Sequence, residues 1–106
     1  MDAKTLNALV RASEDRMLQL EVQKGEEYVR GSGDRLANFK RIAESLGLTP
    51  LQVWAVYANK HWDALLNYIR TGSVKSNEPI ESRVDDLTVY LRLLRGLIVE
   101  HEEAKK

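Results

Sequence analysis

The chain contains no cysteine. This excludes a disulfide framework, a thiolate metal site and a cysteine nucleophile, and it fits a reducing cytoplasm. An excess of either charge is also missing, since lysine plus arginine and aspartate plus glutamate number 16 each. A net charge of zero argues against an extended nucleic-acid surface, which needs a basic face. It leaves little repulsion between copies, which suits a homo-oligomer. No apolar run approaches the length of a membrane span, so no membrane partner is expected. Met1 to Val10 lack the continuous apolar segment of a secretory signal, which again points to the cytoplasm. Internal repeats and low-complexity tracts are absent as well.

What the chain does have is helical periodicity. Its 106 residues suffice for one domain with a working core. Four segments read as helices, at about 3–28, 35–46, 50–70 and 79–103, and no segment reads as a strand. The clearest is the last, where Ile80, Val84, Leu87, Leu91, Leu94 and Ile98 recur at spacings of 4 and 3. That stripe predicts a face packed against other helices. Helix one carries Leu6, Leu9, Val10, Ser13, Met17 and Leu20 on one side, with Asp2 as N-cap. Helix two turns Leu36, Phe39, Ala43 and Leu46 inward, entered by a cap at Asp34 or Ser32 and stopped at Gly47. Thr49, Pro50 and Gln52 form a capping-box pattern for helix three, which Gly72 ends. Pro79 opens helix four. Short links between long helices favour antiparallel neighbours. The expected fold is therefore all-α, a compact four-helix bundle in a single domain. Apolar residues left outside the stripes, among them Leu18, Val22, Val53, Val56, Leu93 and Leu97, suggest a second apolar helix face that joins copies together.

Polar residues interrupt this scheme in three places. Past Leu20 the inner side of helix one continues as Glu21, Lys24, Glu27 and Tyr28, so the helix either leaves the core there or lines a polar pocket. Arg35 follows a glycine-containing turn at the start of helix two, where free backbone N–H groups favour an anion. In helix three, Lys60 and His61 sit on or beside the apolar face. His61 is either a hydrogen-bonded core histidine or an imidazole facing a cavity. In helix four, Arg83, Asp86 and Tyr90 share one flank of the stripe, next to the core. Glu81 and Asp85 form an i, i+4 pair expected to point toward solvent.

Several segments together resemble a known group. Gly33-Asp-Arg-Leu-Ala-Asn-Phe-Lys40, Leu48-Thr-Pro-Leu-Gln52, Val56-Tyr57, Lys60-His61, Glu78-Pro-Ile-Glu-Ser-Arg-Val-Asp-Asp-Leu87 and Tyr90-Leu91 are similar to small phage and prophage proteins of the nucleotide-modification-associated helical family. More distantly they resemble MazG-like all-α NTP pyrophosphatases. That wider resemblance implies an oligomeric bundle holding Mg²⁺ with carboxylates at i, i+3 on two helices, the metal neutralising phosphates and positioning a water. Carried onto this chain, the second motif reads Arg83-x-x-Asp86 where the pattern has Glu-x-x-Asp. The first falls on Glu21 and Glu27 with Lys24 between them.

Three functions follow as expectations. The first is a non-catalytic phage-type protein that binds or sequesters a nucleotide or nucleotide-derived signal through Glu27, Tyr28, Arg35, Lys60, His61, Arg83, Asp86 and Tyr90. It needs no cofactor. The second is a Mg²⁺-dependent nucleotide pyrophosphatase with Glu21, Glu27, Glu81, Asp85 and Asp86 as metal ligands. The third is a protein-interaction bundle without a small ligand.

Overall fold

The computed structural model describes the backbone of residues 1–29 and 33–106, and the side chains of residues 1–21 and 33–106. Four helices run through it: α1 (Ala3–Val29), α2 (Ala37–Leu46), α3 (Pro50–Thr71) and α4 (Ile80–Ala104), with no strand among the described residues. No helix is long and apolar enough to cross a membrane among the described residues.

Local chemistry sets the helix ends. Asp2 Oδ1 accepts from the Thr5 amide at 2.8 Å, which caps α1. Asp34 Oδ1 accepts from the Leu36 amide at 2.8 Å. Asp34 thus organises the turn before α2 rather than capping it, and the helix starts two residues later than the periodicity suggests, with Leu36 at its N-cap. Ser32, the other candidate cap, lies outside the described residues. Gly47 closes α2 and Gly72 closes α3, both left-handed at φ 68° and 72°. That conformation is cheap only for glycine. The Thr49 capping box is complete: Thr49 Oγ1 accepts from the Gln52 amide at 3.1 Å, and Gln52 Oε1 accepts from the Thr49 amide at 2.9 Å. Pro79 sits at the N-cap of α4.

The core forms where α2, α3 and α4 meet. Leu36, Phe39, Ala43, Val53 and Leu97 are buried together, with Trp54, Tyr90 and Leu93 packed against them. Trp54 Nε1 donates to the Tyr90 carbonyl at 2.6 Å, which ties α3 to α4. The α3–α4 interface is the largest, α2 lies on α3, and α1 touches α4 and α2 more sparsely.

This assigns the faces of α4 differently from the stripe. Val84, Leu91 and Ile98 are about half exposed, at 49%, 52% and 45%, whereas Leu97 is buried and Tyr90 and Leu93 pack inward. The line at 90, 93 and 97 won because those side chains face both α2 and α3. Val53 and Leu97, left over in the sequence scheme, belong to the core. Leu18 and Val56 do stay exposed, and Val22 lies outside the described side chains. On α1, Leu6, Leu9 and Val10 are also near half exposed, and Met17 is the buried anchor at 2%.

Candidate functional site

α1 is held by an ion pair that periodicity does not reveal. Asp85 is 5% exposed, the one charged residue buried among the described residues. Its Oδ1 accepts from the Ser13 hydroxyl, and its Oδ2 accepts from Arg16 Nε at 2.9 Å. Burial on its own would push the carboxyl pKa up. The hydrogen bonds from Arg16 and Ser13, with the Arg16 charge, outweigh it and hold the carboxyl below the ordinary carboxylate range. The expectation that Asp85 points to solvent is therefore corrected, because α1 covers that side of α4. A serine in the middle of an apolar stripe was the visible signal. Arg16 gave none.

Behind the core, α3 and α4 build a second polar cluster. His61 Nδ1 lies 3.3 Å from Arg83 Nη1 and 3.6 Å from Asp86 Oδ2. Arg83 also pairs with Glu78 at 3.1 Å, so Arg83 and Asp86 do not form the ion pair their spacing allowed. The His61 ring tilts against Tyr90 with centroids 5.1 Å apart. Burial lowers the His61 pKa; the Asp86 charge raises it and is opposed by Arg83 and Lys60. With the imidazole neutral, Nδ1 can accept from Arg83. Once protonated, Nδ1 can no longer accept from Arg83 and can only donate, with the Asp86 carboxylate 3.6 Å away.

A group whose folded pKa is depressed in this way resists a proton that the unfolded chain accepts. Stability should therefore fall as pH drops below about 6.5 and level off below the folded-state value. Thermal midpoints measured between pH 8 and pH 5 should show this slope in the wild type and a flatter profile in His61→Gln. Equal slopes in the two proteins would remove His61 as the cause.

A recess of about 180 Å³ opens where all four helices converge. Glu21 comes from α1, Arg35 and Phe39 from α2 and the turn before it, Tyr57 from α3, and Asp86 and Tyr90 from α4. Phe39 and Tyr90 meet edge to face with centroids 6.2 Å apart. A dry cavity of about 150 Å³ can hold a benzene-sized ring, so the recess accommodates one planar ring, with a charged rim for whatever that ring carries. Glu21 lies 3.8 Å from Arg92. Arg35 is exposed and has no ion-pair partner among the described residues.

Of the residues expected to bind a ligand, Arg35, Asp86 and Tyr90 thus share one recess. His61 and Arg83 stand behind it, reaching it through Asp86 and Tyr90. Lys60 is exposed and off the wall. The side chains of Glu27 and Tyr28 lie outside the described residues. The proposed metal set is divided: Glu21 and Asp86 line this recess, while Glu81 and Asp85 line a groove between α1 and α4. No group of three or more metal-ligating residues converges among the described residues. Tyr57 and Asn38 were not foreseen on the wall. Both lie in segments that carry the resemblance to small phage proteins, which gave neither of them a role. No protein family, curated protein or solved structure matches the chain.

Proposed function

We propose that this chain binds a nucleotide or nucleotide-derived small molecule in the four-helix recess, without transforming it. The observation that carries the reading is the pairing of an aromatic wall with a free guanidinium. Tyr57, Phe39 and Tyr90 offer apolar ring surface, and Arg35 at the rim is not occupied by a carboxylate among the described residues. Apolar walls with a few convergent polar groups are the usual makeup of a ligand site. A guanidinium matches phosphate oxygens in a bidentate manner, and Asp86 can accept from a ring amine or a ribose hydroxyl. The resemblance to small phage proteins supports the same ligand class, and such a ligand implies a cytoplasmic location. The divided carboxylates give the Mg²⁺-dependent pyrophosphatase no comparable support. A homo-oligomer is kept in the proposal on separate grounds, the apolar surface left outside the core.

Isothermal titration against mono-, di- and triphosphate nucleotides and cyclic nucleotides tests the proposal. At least one member should bind. Arg35→Ala should weaken it roughly 10- to 100-fold, the equivalent of one charged hydrogen bond. Lys60→Ala should leave affinity unchanged. Absence of heat with every member, or equal affinity in Arg35→Ala, overturns it.

A further inference from the structure

The outer face of α4 repeats with a period of seven. Val84, Leu91 and Ile98 occupy one heptad position and are about half exposed, while Ile80, Leu87 and Leu94 occupy the position three residues on and are partly buried. This is the a/d pattern of a coiled-coil seam, and its a side stays about half exposed among the described residues. Two exposed apolar residues of α1, Leu9 and Val10, lie at one end of it. Leu9 and Val10 flank Val84 across the groove between α1 and α4.

The geometry points to a second copy of this chain as the occupant, with the two α4 helices packed antiparallel through this seam. Two observations select that partner and that direction. The first is charge. Glu81, Thr88 and Arg95 follow one another on one flank of the seam, Glu81 and Thr88 at the mouth of the α1–α4 groove. Glu81 and Arg95 are exposed and neither has an ion-pair partner within 4 Å among the described residues, Glu81 acting on Arg16 only from farther off. Antiparallel seams juxtapose like flanks. When Val84 meets the partner's Leu94 and Leu91 meets the partner's Leu87, Arg95 comes beside the partner's Glu81 at both ends. A parallel seam would instead set that flank against the one holding Arg83, Tyr90 and Leu97, which is turned into the core.

The second observation is shape. In the antiparallel register the Ile98 end of one α4 arrives at the Val84 end of the other, where Leu9 and Val10 are open to receive it. A parallel pair would set Ile98 against the partner's Ile98, away from the groove at Leu9 and Val10. Leu9, Val10, Val84, Leu91 and Ile98 together expose roughly 400 Å² of surface per copy, within the range of the largest apolar patch of a lone monomer. Buried from both sides, these side chains give about 800 Å², and the flanking Glu81 and Arg95 with the partly buried Ile80, Leu87 and Leu94 carry the contact toward the roughly 1,000 Å² at which specific interfaces begin. The inference rests on the oligomeric half of the proposal and not on the ligand, and the two fail separately.

Sedimentation equilibrium on the full chain should give twice the 12.1 kDa chain mass. Leu91→Glu, at a half-exposed position, should keep its helical circular dichroism and weaken self-association by roughly 100-fold or more. Arg95→Glu should weaken it, and the double variant Glu81→Arg with Arg95→Glu should restore it. The chain has no cysteine, so single introduced thiols report direction cleanly. Thr88→Cys should couple to its counterpart near the two-fold axis through a short thiol cross-linker. Ile98→Cys should not, its copies lying roughly 27 Å apart along the helix axis. A monomer at every concentration, a dimer indifferent to Leu91→Glu, or coupling at Ile98→Cys and not at Thr88→Cys overturns the inference.

Discussion

Replacing Phe39 with alanine is expected to destabilise the fold by about 3–5 kcal/mol, the range for removing a buried aromatic ring. Phe39 is 7% exposed and lies in the cluster joining α2, α3 and α4. It is also the ring that Tyr90 meets edge-on. α2 is ten residues long, too short to persist alone in water, so it depends on the residues it buries. Total stabilities of small domains run to about 5–15 kcal/mol, so the variant stands close to unfolding. Urea denaturation should show a lower midpoint with little change in slope. Phe39→Leu keeps most of the apolar volume and should lose far less. A deficit under about 1 kcal/mol in Phe39→Ala would place the centre of the core elsewhere.

The second large effect belongs to Asp85. Asp85→Ala removes a carboxylate that holds Ser13 and Arg16 together. Its former partners are partly exposed and can turn to water, so the expected cost is about 2–3 kcal/mol at neutral pH, near that of one or two charged hydrogen bonds. The pH dependence identifies the cause. The folded carboxyl is held below its ordinary range, so its stabilising contribution is full above the unfolded value of about 4 and is lost as pH falls through the folded value. The difference between wild type and Asp85→Asn should therefore be constant from pH 7 to about pH 5 and shrink below about pH 4. Arg16→Ala removes the principal group that offsets burial, so its deficit should also be largest at neutral pH and narrow in acid. A wild-type to Asp85→Asn difference that stays fixed down to pH 2 would show that the charge contributes nothing.

Phe39 could be read from the spacing of α2, whereas the Asp85 effect falls where local sequence was least informative. The ends of α3 could be read directly, because Thr49, Pro50, Gln52 and Gly72 act on backbone groups a few residues away. The buried side of α4 could not. Two apolar lines run along that helix, one through Val84, Leu91 and Ile98 and one through Tyr90, Leu93 and Leu97, and periodicity alone does not rank them. The ranking comes from Phe39, Val53 and Trp54 on other helices. The recess was legible in part for the same reason. Arg35, Asp86 and Tyr90 stood out as polar groups beside apolar faces, but their convergence depends on how the helices pack. Arg16 was invisible because its partner lies 69 positions away.

That separation bears on how the chain is made. The residues that dock α1, Ser13, Arg16 and Met17, leave the ribosome before the carboxylate that two of them bind, which belongs to α4. Until α4 is made, α1 must wait without that partner, its leucines open to solvent or to chaperones. Its attachment through Asp85 can be made only once α4 has emerged.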